Sequence, residues 1–583
     1  LDIKTSADAL RPKALEYSRL LRHRGPDWSG IYNNDNAILV HERLSIVDTE
    51  HGAQPLYNEN KTHVLAVNGE IYNHKALEKD LTVDYDFKTA SDCEVILPLY
   101  KEFGVEFVDK LQGMFAFIVY DETNNSYLIA RDHIGIIPLY TGYDADGNFY
   151  VASEMKALMP ICKTVEEFPP GHILDSNVGE VQKYYKRNWQ KYDAIKDNTT
   201  STTKIREALE ESVKSHLMTD VPYGVLLSGG LDSSSIVCVV NKLLGGQQVQ
   251  KTFSSCSVHA KFDEREFVYE VLNKTNNVDP CLFELQHDEF GKAISGLIYQ
   301  QDEPFLSPSV FAEWSVFQQV KNSGVKVTLD GHGADEQLIG YHTFYGSHLF
   351  FLFKQFNWVK LFKEMLALKN LHGYGFVYSL RKLLRGVLPN SINQLLFKIT
   401  ARPTTKVNWL DTSKLKVDDI QKDFNSDILS VAELSIEQLT KTSLPKQLRW
   451  CDRDSMAHSI ESRVPFLDYR IIEFLASIPE SYKLDEGITK RILRESMRPY
   501  LPERVTNRID KMGFVTPAEL WVKSDPDQYK RIIDKTIEKS QGILNQEAAI
   551  RFNDMIEGEL SFDHSFWRAV FFVEWLDVYK VKV

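Results

Sequence analysis

The sequence has few cysteines, no long apolar run and no block of basic residues. Its six cysteines are scattered over 583 residues without a C-x-x-C pair, which argues against a zinc ribbon or a disulfide scaffold and fits a reducing cytosol. No uncharged stretch reaches the roughly 18 residues that span a bilayer, and the first residues do not have the pattern of a signal peptide. We therefore expect a cytoplasmic protein without a membrane contact.

The charge balance disfavours nucleic acid as a partner. The chain has 68 Lys and Arg residues against 81 Asp and Glu residues, a net charge of −13. An acidic chain without a basic run is poorly suited to coat a polyphosphate backbone. Any anionic ligand has to be held by backbone amides, a metal or a few placed cations.

Composition and periodicity divide the chain into two parts. With 43% apolar residues it can bury a large core, and its length predicts roughly two to four domains. Residues 186–203 are polar and rich in Thr, Asp and Lys, which is typical of a linker. Before this segment, short runs at 37–40, 62–67, 114–120, 126–130 and 148–152 predict packed antiparallel sheets. After it, strands at 223–227 and 252–257 alternate with helical patterns, which predicts a parallel sheet with crossover helices.

The clearest local signal is a glycine pair between a strand and a helix. An apolar strand leads into Ser228-Gly229-Gly230-Leu231-Asp232-Ser233-Ser234, and a helical run follows. Glycines allow an anion to approach the backbone, and the amides at a helix start attract phosphate oxygens, to which the three serines could also donate. An ordinary strand–helix turn is the alternative, but its position favours a phosphate site. The run resembles the SGGxDS loop of ATP pyrophosphatases, which implies that ATP is cleaved to AMP and pyrophosphate.

A second strand ends in a similar way. The strand at 325–329 is followed by Asp330-Gly331-His332-Gly333-Ala334-Asp335. Ligands of parallel sheets bind beyond the carboxyl ends of the strands, so Asp232 and Asp335 could converge on one Mg²⁺ that also takes phosphate oxygens. Acids that merely cap helices are the alternative. A third strand end, at 253–256, would lie beside the adenine.

Several motifs in one order identify a family resemblance. SGGLDSS, DGHGADE, Asp452–Ser459, Glu461–Asp468 and the lysine of TKRILRE resemble the synthetase domain of glutamine-dependent asparagine synthetases. In the first part, HRGPD at 23–27, RLSIV at 43–47, Asn-Gly-Glu at 68–70, Ser-Asp at 91–92 and LQGMFA at 111–116 resemble their class II glutaminase domain. The resemblance covers nearly the whole chain. It implies an α+β and α/β architecture: an N-terminal αββα sandwich of the Ntn-hydrolase type at 1–190, then a parallel-sheet ATP-pyrophosphatase domain with helical extensions at 204–583.

The resemblance also implies roles for individual residues. Arg43 and Asp92 would hold the two charged ends of glutamine, and Asn68 with the amide of Gly69 would form the oxyanion hole. The implied glutamine site is Arg43, Leu44, Ser45, Ile46, Val47, Asn68, Gly69, Glu70 and Asp92. The implied ATP site is Leu226, Ser228, Gly229, Gly230, Asp232, Ser233, Ser234, Ser255, Asp330 and Gly331. The implied catalytic set is Lys490, which would neutralise the departing pyrophosphate, with Asn68, Gly69 and His332. Read without their neighbours, Asn68-Gly69 is an ordinary turn and Lys490 a solvated cation.

The sequence departs from the family at two places. The family's glutaminase begins with a catalytic cysteine, whereas this sequence begins with Leu1 and its first cysteine is Cys93. We expect a short preceding segment to carry the nucleophile; a chain fed by free ammonia is the alternative. Cys93 is a poor substitute because nothing in the sequence supplies it with a base. At His332 the family commonly has an acid or an amide near the acyl-adenylate, which leaves the acceptor carboxylate open.

The resemblance implies the amidation of aspartate to asparagine through β-aspartyl-AMP, with ammonia from glutamine reaching the adenylate through an interdomain passage near Met114. The expected partners are glutamine, aspartate, ATP and Mg²⁺, and a homodimer is left open. A related amidotransferase that acts on another carboxylate, such as a sugar acid, is the alternative, and a non-catalytic binding protein is a third hypothesis.

The aromatic-rich segment 341–446 is expected to add helices over the core, while its lysines leave a partner or membrane face open.

Overall fold

The computed structural model describes residues 3, 4, 6–186, 198–387, 409–415, 429–510 and 516–583. The strands are β1 Trp28–Asn33, β2 Ile38–Arg43, β3 Leu56–Tyr57, β4 His63–Ile71, β5 Gly113–Asp121, β6 Ser126–Arg131, β7 Tyr140–Tyr143, β8 Phe149–Ala152, β9 Thr164–Glu167, β10 His172–Asp175, β11 Val181–Lys183, β12 Tyr223–Leu226, β13 Gln250–Cys256, β14 Val278–Glu284, β15 Val327–Leu329 and β16 Glu461–Arg463.

The α-helices up to the middle of the chain are α1 Ala7–Arg19, α2 His74–Asp80, α3 Ile96–Phe103, α4 Asn198–His216, α5 Leu231–Leu244, α6 Arg265–Lys274, α7 His287–Gln301, α8 Ser309–Asn322, α9 Ala334–Gln337, α10 Phe344–Lys354, α11 Trp358–His372 and α12 Phe376–Val387. The later ones are α13 Val431–Glu437, α14 Leu444–Met456, α15 Tyr469–Ser477, α16 Arg491–Met497, α17 Glu503–Thr506, α18 Ala518–Ser524, α19 Pro526–Lys539, α20 Gln546–Glu557 and α21 Ser565–Val578. Within these ranges, no helix is both long and apolar enough to cross a lipid bilayer.

The N-terminal part is a sandwich of antiparallel sheets. A six-stranded sheet in the order β11-β10-β6-β5-β4-β3 faces the β8-β7-β9 sheet and the β1-β2 hairpin across a core that includes Leu39, Ile129 and Phe149. Helices α2 and α3 cover the other face of the large sheet, and α1 packs on β2. The layers are therefore helix, sheet, sheet, helix, which confirms the predicted αββα architecture.

The C-terminal part is built on a parallel sheet in the order β14-β13-β12-β15-β16. The strand–helix pairs β12–α5 and β13–α6 match the predicted alternation. Val225, Val237 and Leu329 belong to the core that this sheet forms with its helices. Helices α18 to α21 pack with α7 around a second core that contains Trp521 and Trp567. The predicted α/β fold with helical extensions is confirmed.

The structure changes the prediction for the linker at 186–203 and agrees with the prediction for the aromatic-rich segment 341–446 where that segment is described. Helix α4 begins at Asn198, inside the segment predicted as linker, because its later turns carry the buried residues Ile205, Leu209 and Val213 that hold it to the core; residues 187–197 lie outside the described residues. The described parts of 341–446 are helical as expected, and they bury a core that includes Tyr345 and Leu349. Residues 388–408 and 416–428 lie outside the described residues.

The two parts meet through buried ion pairs. Arg24 donates to Asp452 at 2.7 and 2.8 Å and to Glu154 at 2.8 Å. Lys156, which is buried in the N-terminal part, lies 3.2 Å from Asp302 of the C-terminal part. The sequence motifs around Arg24 and Asp452 therefore face each other across the junction.

Candidate functional site

The glycine loop opens into a cavity of about 430 Å³ at the carboxyl end of the parallel sheet. The amide of Ser228 donates to the Ser233 hydroxyl at 3.2 Å, and the Gly230 amide donates to the Ser228 hydroxyl at 3.4 Å. Both donors are satisfied by hydroxyl groups that can turn to a stronger acceptor. Because the first N–H groups of a helix lack intrahelical partners, the start of α5 is suited to receive an anion.

Most of the predicted ATP-binding residues line this cavity. They are Leu226, Ser228, Gly230, Asp232, Ser233, Ser255, Asp330 and Gly331. Gly229 and Ser234 are not among its lining residues. Gly229 has a φ of +74°, and a Cβ there would lie 2.7 Å from the Cβ of Phe267, so its glycine serves the turn and the packing against α6. Ser234 is fully buried inside α5.

Lys490 stands between the two predicted metal-binding aspartates. Its ammonium lies 2.5 Å from Oδ2 of Asp232 and 2.6 Å from Oδ1 of Asp335. Lys490 is the residue before α16, and its φ of +53° is left-handed rather than helical. The helical pattern of the sequence starts at Thr489, two residues before the observed helix. Burial lowers the pKa of Lys490, although Asp232 opposes that shift. Lys490 is therefore buried and lines the cavity, and it is not the solvated surface cation that composition alone favours.

The two aspartates have a donor set suited to a hard cation. Oδ1 of Asp232 is buried and has no hydrogen-bond partner among the described residues. An orphaned carboxylate oxygen beside a second carboxylate is the kind of ligand that Mg²⁺ takes together with phosphate oxygens. The residues therefore fit the ion, and Asp232 and Asp335 would be its protein ligands.

Gly340 leaves the space that the ion pair between Lys490 and Asp335 occupies, and this gives a testable prediction. A Cβ at this position would lie 1.8 Å from Oδ1 of Asp335 and 2.4 Å from Cε of Lys490. We expect Gly340→Ala to displace both groups. If these groups act on ATP as the family resemblance implies, the variant should lower AMP formation by about 10²-fold, since a misplacement of about 1 Å can have an effect of that size. Initial rates with MgATP would measure it.

The control for this variant is Gly296→Ala in α7, where a Cβ meets nothing within 4 Å. That variant is expected to keep the native rate. Equal rates for native protein and Gly340→Ala would show that the spacing between Asp335 and Lys490 is unimportant.

His332 is held between two carboxylates. Its Nδ1 lies 2.7 Å from Oδ1 of Asp330, and its Nε2 lies 3.6 Å from Oε1 of Glu313 on α8. Burial lowers the pKa of His332, but Asp330 and Glu313 outweigh it and raise that pKa to about 10. Burial also raises the pKa of Glu313 to about 7. Sequence reasoning found His332 but missed Glu313, which no motif marks.

The charge on His332 predicts a pH-dependent stability. The histidine has a pKa raised from 6.5 to about 10, so its contribution is fully present below pH 6.5 and is lost as pH rises toward 10. We expect His332→Gln to lower the free energy of unfolding by about 1.5–3 kcal/mol at the acid end, as for hydrogen bonds to charged groups. Urea titrations of both proteins across this range would measure it. A constant difference between the two would contradict a charged His332.

The predicted glutamine site lines a second cavity, of about 280 Å³, in the N-terminal part. Its lining includes Arg43, Leu44, Ile46, Val47, Asn68, Gly69, Glu70 and Asp92, but not Ser45. The Ser45 amide instead donates to Asp27 at 2.8 Å. Gly69 has a φ of +132°, and a Cβ there would lie 2.0 Å from the carbonyl oxygen of Met114, so only glycine fits. Met114 itself lies in the core between the sheets and lines neither cavity.

Acidic groups crowd one end of this cavity. Burial, with Asp92 and Glu461 nearby, raises the pKa of Glu70 well above its usual range. Burial also raises the pKa of Asp92, which accepts the Ile71 amide at 2.6 Å. The guanidinium of Arg463, on β16, lies 3.2 Å from Glu70 and 2.7 Å from Glu461. Arg463, a residue of the C-terminal part, therefore forms an ion pair with Glu70 of the predicted glutamine site.

Cys93 lies beside the same acids and is buried. Burial, followed by the charge of Asp92, raises the pKa of the Cys93 thiol well above its usual range. A thiol is a nucleophile only as the thiolate. The local environment of Cys93 thus opposes a nucleophilic role, in line with the prediction from sequence.

One helix reaches both cavities. Met456 of α14 lines the N-terminal cavity, and Gln447 and Trp450 of the same helix line the C-terminal one. Helix α14 therefore extends from one cavity to the other over about three turns.

Comparison with known families matches both parts of the chain. The asparagine synthase family model matches residues 204–577, and the glutamine amidotransferase domain model matches residues 3–174. The chain belongs to the asparagine synthase family. In this family member the glycine loop, Lys490 and both aspartates fall within the synthase match, and Arg43, Asn68 and Asp92 fall within the amidotransferase match.

Curated proteins of the family are similar over part of their length. Asparagine synthetase B (glutamine-hydrolyzing) of Escherichia coli (strain K12) is 53% identical over 357 residues, which cover 59% of this chain and 64% of that protein. Asparagine synthetase (glutamine-hydrolyzing) 1 of Arabidopsis thaliana is 41% identical over 360 residues, 59% of this chain and 60% of that protein. The chain thus spans less than two thirds of the length of these relatives. A solved allosteric regulatory enzyme of purine biosynthesis shares 17% identity at a TM-score of 0.27, over 46% of this chain and 78% of that chain, too little to carry a structural argument.

Proposed function

We propose that this chain amidates L-aspartate to L-asparagine, cleaves ATP to AMP and pyrophosphate, and takes ammonia from glutamine. The observation that carries the proposal is the meeting of the Ser228–Ser234 loop with Lys490, Asp232 and Asp335 in one cavity. Family membership and the names of the curated relatives support it. We assign glutamine to a domain at 1–190 and ATP to a domain at 204–583.

The residues of the C-terminal cavity would act on ATP as follows. The start of α5 and the hydroxyls of Ser228 and Ser233 bind phosphate oxygens. Asp232 and Asp335 would hold Mg²⁺, which would supply charge neutralisation of the phosphates when bound. The aspartate side-chain carboxylate attacks the α-phosphorus, the bond to the oxygen bridging to the β-phosphorus breaks, and Lys490 stabilises the charge on pyrophosphate. The products of this step are β-aspartyl-AMP and pyrophosphate.

The second half of the reaction would use ammonia. Its nitrogen attacks the acyl carbon of the adenylate, AMP leaves with the bridging oxygen, and the nitrogen loses one proton to water as asparagine forms. Ammonia in neutral water is mostly ammonium, which is not a nucleophile, so a closed route from glutamine is an advantage. We propose that this route follows α14, which lines both cavities. In the first cavity Arg43 and Asp92 would hold glutamine, and Asn68 with the Gly69 amide would stabilise the oxyanion.

The test supplies the full chain with MgATP, aspartate and ammonium, so that it does not depend on glutamine hydrolysis. Asparagine, AMP and pyrophosphate are expected in equal amounts. Glutamate, one methylene longer, serves as the matched acceptor and is expected to give little product. Pyrophosphate release that does not depend on aspartate would overturn aspartate as the substrate.

A second candidate is an amidotransferase that acts on a different carboxylate. The observation that favours it is the buried Asp330–His332–Glu313 cluster in the wall of the cavity, where the family commonly has an acid or an amide. A charged histidine changes what the acceptor end of the site can bind. Measuring pyrophosphate release with a panel of carboxylates, including sugar acids, separates the two. A non-aspartate acceptor at least ten times faster than aspartate would favour this candidate.

A further inference from the structure

Exposed apolar side chains are concentrated on α11, on α12 and just before α11. Of the 22 large hydrophobic residues that are exposed among the described residues, nine lie between residues 356 and 380. They are Phe356, Trp358, Val359, Phe362, Leu366, Leu371, Phe376, Val377 and Leu380. Isolated exposed side chains are common on soluble proteins, but a cluster of this kind marks an interaction site. We refer to these nine residues as the α11–α12 face.

Two pairs of rings in the face are in contact, and one of these pairs joins the two helices. The rings of Phe362 and Phe376 stack with centroids 6.0 Å apart, and Phe356 lies edge-on to Trp358 at 6.0 Å. Val359 and Val377 are each 72% exposed. The inner sides of the same helices pack on the core through Leu361, Leu368 and Leu383. Each helix therefore has one apolar side that packs on the core and a second apolar side that is exposed to solvent.

The segment that carries the face is basic, whereas the whole protein is acidic. Residues 354–385 contain Lys354, Lys360, Lys363, Lys369, Arg381, Lys382 and Arg385, and only one acid, Glu364. Glu364 points inward, where it is buried and accepts the amides of Glu486 and Gly487 at 2.8 and 2.9 Å. Lys360 lies 3.1 Å from Asp485, and Lys369 lies over the ring of Phe376 at 5.4 Å. A segment with a net charge of +6 thus stands in a chain with a net charge of −13.

We propose that the α11–α12 face binds the surface of an anionic phospholipid membrane. Aromatic and aliphatic side chains flanked by lysines and arginines suit the boundary between headgroups and acyl chains, where the apolar groups enter and the cations meet phosphates. A second copy of the chain fits less well, because a two-fold contact would place this basic face against itself. The binding would be peripheral and reversible, and it would correspond to the membrane face that the sequence left open as an alternative for segment 341–446.

The test is cosedimentation of the full chain with vesicles. Vesicles of phosphatidylcholine mixed with phosphatidylglycerol are expected to bind the protein at least about tenfold more tightly than vesicles of phosphatidylcholine alone, and salt is expected to weaken this binding. The double variant Lys363→Glu/Arg381→Glu should lose about tenfold in affinity for the anionic vesicles. The double variant Val359→Ser/Val377→Ser should lose at least as much, since both valines would enter the lipid boundary.

The matched controls lie on other surfaces. Ile550→Ser removes an aliphatic side chain that is 56% exposed on α20, and Lys580→Glu reverses an exposed charge near the C-terminus. Neither is expected to alter vesicle binding, and no variant should change AMP formation. Equal binding to neutral and anionic vesicles, or none, would overturn the proposal. Self-association that is lost in Val359→Ser/Val377→Ser, without vesicle binding, would assign the face to a second copy instead.

Discussion

Replacement of Lys490 by alanine is expected to lower the rate of AMP formation by about 10²–10³-fold while the fold stays intact. The loss follows from the position of the ammonium, which lies within 2.6 Å of both Asp232 and Asp335 in the cavity where we propose that ATP binds. A buried, preorganised charge aimed at a leaving group typically has an effect of this size. Initial rates with MgATP, aspartate and ammonium measure it.

The matched control is Lys483→Ala. Lys483 is also buried, and burial lowers its pKa to about 8, but it does not line the ATP cavity. This variant is expected to keep most of the activity even if it loses some stability. Near-native turnover in Lys490→Ala would remove Lys490 from the catalytic set.

Replacement of Arg463 by methionine is expected to lower the free energy of unfolding by about 3–5 kcal/mol, since it leaves buried carboxylates without their cation. The Arg463 guanidinium is fully buried, and it contacts Glu461, Glu70 and the carbonyl oxygens of His216 and Met218. Urea titration measures the change.

Acidification should partly rescue Arg463→Met. Burial raises the pKa of Glu461 and of Glu70, so the folded protein favours the neutral carboxyl groups, and their cost falls as pH falls. The control Arg470→Met removes a half-exposed guanidinium that pairs with Asp468 and Glu211, and about 1 kcal/mol or less is expected. An equal loss of unfolding free energy in the two variants would contradict the conclusion that Arg463 stabilises buried carboxylates.

The fold was largely predictable because its signals are local. Alternating and apolar strands, and the glycine pair before α5, determine structure within a few residues of themselves. The first turns of α4 were predicted as linker because residues 198–203 are polar, whereas the helix is held to the core by Ile205, Leu209 and Val213 in the turns that follow. Lys490 was predicted by family resemblance alone, since its burial depends on residues more than a hundred positions away.

The partners of the site residues were less predictable. Glu313 reaches His332 from α8, and Arg463 reaches Glu70 from the other part of the chain. Nothing in the local sequence of either residue marks such a contact, since both depend on the tertiary packing of distant segments. The same limit explains Ser234 and Gly229, whose residue types suit a phosphate loop but whose positions serve the helix and the packing on Phe267.

The site of ATP cleavage is the claim on which the rest depends, and phosphorus NMR of the products tests it most directly. The full chain, incubated with MgATP, aspartate and ammonium, is predicted to give AMP and pyrophosphate in equal amounts, because the loop, Lys490 and both aspartates meet in one cavity, where they would surround the departing pyrophosphate. Formation of ADP and inorganic phosphate would contradict it.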